Sequence, residues 1–256
     1  MLCLLPFLMF YFLTFGEVKI QIFVEFYSPQ TDILNMKLTW WKLLAILILL
    51  YVIIGGFMFD VPKLNILNES IRNLYFHVPM WFGMIISLLI SVIFSVIYLA
   101  KGNAKSDIQA AEYANTGIVF GVLGLLTGMV WAQYTWGSYW SGDPKQNASA
   151  IGLLIYLAYF VLRGSFTDDQ QRARISAIYN IFSFPALIAL LFILPRLTDS
   201  LHPGNGGNPG FNAYDLDSRM RLLFYPSILG FTLLGVWISS LRVRIRLVRN
   251  RIYGIE

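Results

Sequence analysis

The sequence predicts an all-α integral membrane protein of six transmembrane helices, with a tryptophan-rich loop on its outer face. Three observations carry this. Hydrophobic residues make up 57% of the chain and charged residues only 13%, about half the charged share of a soluble domain. The apolar residues gather into six runs, each near the length of about 20 residues that crosses a hydrocarbon core as a helix. Pro, Gly, Asn, Asp, Lys and Arg collect between the runs, as in water-exposed connections. Helix is the expected form because it satisfies its own backbone hydrogen bonds in lipid.

The first run, 39–59, follows Lys37 and opens on Trp40 and Trp41, an interfacial signature. The second, 78–100, starts at Val78-Pro79. Proline suits the first helical turn, where its missing N–H costs nothing, so His77 is expected at or just outside the helix start. The third, 112–133, runs into the aromatic segment WAQYTWGSYWSGDP. The fourth, 148–163, is the shortest and can extend back into that loop. There Asp143-Pro144-Lys145-Gln146 reads as an N-cap, a first-turn proline and a glutamine placed to bond the cap's own N–H. The fifth, 175–195, ends at Arg196 and leads to His202. The sixth, 222–241, is followed by a basic cytoplasmic tail at 246–256.

Orientation follows from Lys and Arg. With residue 37 on the cytoplasmic side, that side holds Lys37, Lys42, Lys101, Lys105, Arg163, Arg172, Arg174, Arg242, Arg244, Arg246, Arg249 and Arg251. The outer side holds Lys63, Arg72, Lys145, Arg196, Arg219 and Arg221. Basic residues concentrate on the cytoplasmic side of membrane proteins. His77, the aromatic segment and His202 then share the outer face. Residues 1–35 read as an N-terminal extension or an extra hydrophobic segment. Residues 2–15 are apolar but short, with no basic stretch before them, unlike a signal peptide. The working protein is expected to begin near Met36, the alternative being an additional helix. The membrane domain is expected over 36–245.

Composition also excludes. Cys3 is the only cysteine, so there is no internal disulfide, no CxxCH for covalent haem and no Cys/His zinc site. The net charge of +5 sits at helix ends, which speaks for a lipid bilayer as partner and against nucleic acid. No GxxxxGK[ST] is present, so any nucleotide-driven energy input must come from another subunit.

The chain has two histidines, His77 and His202, and imidazole is a common axial ligand of haem iron. Each also has a plainer reading, as an interfacial histidine bonded to backbone or water. Trp131, Tyr134, Trp136, Tyr139 and Trp140 crowd one short stretch, with Gly137 able to turn the chain between rings. They suit a flat macrocycle, and Trp and Tyr also line any bilayer interface. Asp143 fits an N-cap and can fix the loop's geometry as well. Among the outer cations, Arg72 and Arg196 are candidates for haem propionates, because guanidinium pairs with carboxylate in bidentate fashion; lipid phosphates would suit them equally. The run from Pro203 to Gly210 is rich in Gly and Pro. It reads as a connector or as a loop that closes over a ligand.

Three segments resemble the cytochrome c assembly family of haem-handling membrane proteins, and within it the CcmC branch. IRNLYFHVP resembles the family's R-x-x-Y-x-H-V-P through Arg72, Tyr75, His77, Val78 and Pro79. TWGSYWSGDPK resembles the tryptophan-rich motif W-G-x-x-W-x-W-D through Trp136, Gly137, Trp140 and Asp143, and SLHPG resembles L-H-x-G through Leu201, His202 and Gly204. The resemblance covers about residues 37 to 245. One departure is Gly142, which stands where the motif has its last tryptophan and removes a ring from the platform.

The resemblance implies that haem b docks on the outer face with His77 and His202 as axial ligands to its iron. It further implies delivery to a haem chaperone and thence to apocytochrome c, among other maturation subunits that include an ABC-type complex. The setting implied is the inner membrane of a bacterium, with the site on the periplasmic side. The protein would then assist transfer rather than act as an enzyme. Two alternatives stand beside this: a CcsA-type subunit of a cytochrome c synthase, and a small-solute transporter. Synthase subunits of that type usually carry more spans and extra intramembrane histidines. A transporter would carry intramembrane charge, of which the six runs have little.

Overall fold

The computed structural model describes residues 39–63, 67–202 and 216–254. The N-terminal segment 1–35 and the run from Pro203 to Gly210, with Gly204 of the third matched segment, lie outside the described residues. Among the described residues regular structure is helical, with six helices long and apolar enough to cross a membrane. They are α1 (Trp40–Met58), α2 (Leu74–Lys101), α3 (Ala104–Trp136), α4 (Pro144–Gly164), α5 (Asp169–Ile188) and α6 (Ser218–Ile252).

Several elements reach past the apolar runs. A 3₁₀ turn, Asn68–Asn73, leads straight into α2. His77 therefore lies within the helix rather than at its edge, and Pro79 is interior. There the proline removes the hydrogen bond that would end on the Tyr75 carbonyl. The helix α3 begins at Ala104 and ends at Trp136, so Trp131, Tyr134 and Trp136 sit on its last turns and the loop proper is 137–143. The basic segment expected as a tail is, up to Ile252, the end of α6. Arg242 and Arg246, one turn apart, reach Glu112 of α3 at 2.8 and 3.2 Å and so prolong the helix. After α5 the chain passes through a π turn, Ala189–Ile193, and a 3₁₀ turn, Leu194–Arg196.

The longest shared face joins α2 to α3, and its register places His77. Gly117, Gly121, Gly124 and Gly128 of α3 receive Leu88, Met84, Trp81 and His77 of α2 in turn. Small residues let transmembrane helices approach closely, and here the approach is tight: a Cβ on Gly128 would lie 2.6 Å from Cε1 of His77. Elsewhere interhelical hydrogen bonds join the bundle. The Asn180 side chain of α5 donates to Ser91 and Ser95 of α2 at 2.8 and 2.9 Å. Ser239 of α6 donates to Thr116 of α3 at 2.9 Å.

Candidate functional site

One imidazole, His202, and two indoles, Trp131 and Trp136, meet at the end of the bundle where α3 stops and α4 starts, and the second imidazole, His77, packs on α3 at Thr127 and Gly128. Gly137 closes α3 in a left-handed conformation (φ +76°), its N–H bonded to the Gln133 carbonyl; such a φ favours glycine. The loop is then held from α4. Gln146 accepts from the Ser141 N–H and hydroxyl at 2.9 and 3.0 Å and donates to the Tyr139 carbonyl at 3.3 Å. The glutamine was expected to bond the N–H of Asp143; it reaches Ser141 instead, because the loop folds back over the first turn of α4. Tyr139 and Trp140 are exposed on this loop, whereas Trp131 and Trp136 are half-buried.

Asp143 is the hub. It caps α4 by accepting from the Lys145 N–H at 2.8 Å. The same buried carboxylate accepts from the Ser200 hydroxyl at 2.9 Å, the Leu201 N–H at 2.7 Å and Nδ1 of His202 at 2.8 Å. Burial works against its charge, but the bonds from His202, Leu201 and Ser200 outweigh that and hold the carboxyl well below the usual aspartate range. One side chain thus ties three consecutive residues of the segment after α5 to the start of α4. The His202 ring lies edge-on to Trp136 at 4.7 Å between centroids and 6.4 Å from Trp131, and the two indoles are 5.2 Å apart.

His77 is held differently. Its Nδ1 lies 3.2 Å from the Thr127 hydroxyl of α3, its ring rests against Gly128, and Trp81 stands edge-on at 6.3 Å. Thr127 is within donating reach of the Leu123 and Gly124 carbonyls at 2.8 and 3.0 Å. Its one proton goes to the backbone and a lone pair remains to accept from His77. Thr127 lies one helical turn before Trp131, whose ring is 6.4 Å from that of His202. With Nδ1 engaged in each case, Nε2 is the nitrogen left for a ligand bond. Among the described residues no three His, Cys, Asp or Glu side chains converge to hold a bare ion. A pair of imidazoles beside indoles instead suits an iron that brings its own equatorial ligands.

The candidate cations differ. Arg72 bonds the Gly56 and Phe59 carbonyls at 2.9 and 2.6 Å and Glu69 at 2.6 Å. Its Nη1 thus closes the C-terminal end of α1, whose carbonyls lack helical partners, and its Nε is held by Glu69. Arg196 is exposed on the segment leading to His202. Gly142 adopts φ +75° with open space around its Cα. The absent tryptophan is therefore matched by a backbone that side chains avoid, not by a neighbour filling its place. Sequence reasoning missed Thr127, Gly128 and Ser200. The spacing of glycines 117, 121, 124 and 128 was the available signal for the first two.

Fold and site together define a polytopic helical membrane protein that presents paired imidazoles and indoles at one end of its bundle. The chain belongs to the CcmC family, heme exporter protein C, whose model matches residues 22–254. That match reaches further toward both termini than the 37–245 expected from the motifs. Curated relatives named heme exporter protein C include that of Rhodobacter capsulatus, 26% identical over 86% of this chain and 90% of its own. Those of Paracoccus denitrificans (24% identical; 73% of this chain, 78% of the relative) and Escherichia coli K12 (25%; 80% and 81%) are similar.

Proposed function

We propose that this protein holds haem b between His77 and His202 and presents it to a haem chaperone for delivery to apocytochrome c. The observation that carries the reading is that both histidines of the chain have Nδ1 already bonded, His77 to Thr127 one helical turn before Trp131, whose ring lies 6.4 Å from that of His202. Membership of the heme exporter protein C family supports haem handling within a multi-subunit cytochrome c maturation system. The distribution of basic residues supports an outer, periplasmic position in the inner membrane of a bacterium. Energy input falls to partner subunits, an ABC-type complex among them, and this chain makes no covalent bond to its cargo.

Haem has an apolar ring and charged propionates, so an interfacial site suits it better than either water or lipid. Trp131 and Trp136 offer faces or edges for the ring, exposed Trp140 and Tyr139 extend the surface, and exposed Arg196 is the cation proposed for a propionate. Two imidazoles fill the axial positions and discourage oxygen chemistry. Gly142 leaves one side of the platform low, which suits handing the cargo on.

The test is purification of the full chain with haem and an optical spectrum of the native protein and of His77→Ala, His202→Ala and the double variant. A bis-histidine spectrum is expected in the native protein, weakened retention in each single variant and no retained haem in the double. Full haem occupancy in the double variant overturns the assignment.

A further inference from the structure

The two imidazoles are supported by unlike partners, and the difference bears on the order in which they would release a shared ligand. His202 bonds a buried, anionic carboxylate at 2.8 Å. His77 bonds a neutral hydroxyl at 3.2 Å. A carboxylate behind a ligating imidazole fixes its tautomer and raises its basicity as a ligand. A hydroxyl fixes the tautomer and adds little basicity, because it carries no charge.

The attachments differ mechanically as well. His77 stands on α2 with its ring against the α3 backbone at Gly128, where close packing gives it no room to follow a moving ligand. His202 lies past the last turn of α5, and side-chain bonds to Asp143 tie its segment to α4. A ligand drawn outward would stretch the fixed, weaker donor before the anchored, stronger one.

The geometry points to Thr127 and Asp143 as positioning residues of unequal strength, so that His77 separates first and His202 keeps hold until transfer is complete. This rests on the proposed bis-histidine site and adds an order to it. The order requires neither redox change nor covalent chemistry: one coordinate bond opens, and its electron pair returns to Nε2 of His77.

The test uses the full-length protein and the variants Asp143→Asn, Thr127→Val and Thr127→Ser. Without haem, ¹⁵N spectra of the two histidines report their tautomers. The native protein is expected to show both as Nδ1–H, with Thr127→Val altering His77 alone, Asp143→Asn altering His202 alone, and Thr127→Ser restoring the native His77 signal. With haem, Asp143→Asn is expected to lower retention about 10- to 100-fold, the usual effect of losing such a support, and to raise the reduction potential. Thr127→Val should change each far less. Carbon monoxide added to the reduced protein takes the position of the weaker ligand, and its vibrational band reports the imidazole opposite. Movement of that band in Asp143→Asn but not in Thr127→Val supports the order. Movement in Thr127→Val alone, or equal effects of both variants on potential, overturns it. Failure of the native protein to bind haem through two histidines overturns the underlying reading instead, whereas bis-histidine binding with His202 released first overturns only the order.

Discussion

The two ends of the bundle each bury carboxylates and complete them with different partners. At the end away from the histidines, Asp107 of α3 meets Arg163 of α4 at 2.7 Å, and Glu112 meets Arg242 and Arg246 of α6. Guanidinium is always charged and bonds in a fixed fork, so these pairs are closed and join three helices. At the histidine end, Asp143 is equally buried, but its partners include an imidazole whose second nitrogen remains for other chemistry. A carboxylate facing arginine closes a pair between helices; one facing histidine fixes the orientation of a ring that has a second nitrogen. Asp107 precedes the apolar run of α3 and Glu112 is its first residue, and arginines pair with each.

The largest effect expected from breaking this contrast is at the arginine end. Asp107→Ala strands the buried Arg163 guanidinium and should destabilise the protein by about 3–5 kcal/mol, read as a drop in thermal midpoint in detergent. If haem is held as proposed, the spectrum of the molecules that stay folded should keep its bis-histidine form, because the two ends share no side chain. Next is Gly128→Ala. Its added methyl group meets the His77 ring rather than a flexible chain end, and overpacking of this kind costs about 1–3 kcal/mol. Haem retention should fall with it, whereas Gly117→Ala, which meets Leu88, should lower stability and leave the spectrum unchanged. Smallest is Gly142→Ala, which forces a side chain into the left-handed region and should cost about 1–2 kcal/mol. Its effect should appear as a more mobile loop in tryptophan fluorescence.

Much of this was legible in the residues. Hydropathy alone marks six spans, because lipid permits few alternatives to a long apolar helix. The rarity of histidine singles out His77 and His202, residue type marks Trp131 and Trp136, and the capping pattern Asp143-Pro144-Lys145-Gln146 marks Asp143. Helix ends were less legible: the position of Pro79 suggested a first turn, but the 3₁₀ turn before it begins the helical run earlier. What the chain could not disclose on its own was pairing. Thr127 supports His77 only because α2 and α3 pack in one register, and Ser200 reaches Asp143 only because α5 ends beside α4. These are facts about neighbours in space, and no local pattern encodes them except the glycine spacing on α3.

The π turn at Ala189–Ile193, where the Leu194 N–H bonds the Ala189 carbonyl, adds one residue to a helical turn. Everything downstream is therefore rotated by about 100° relative to an uninterrupted α-helix. Removing a single residue there would keep the span long enough for the bilayer yet swing the Ser200 hydroxyl and His202 imidazole away from Asp143. The outcome would be a correctly inserted membrane protein whose histidine-bearing segment faces the wrong way.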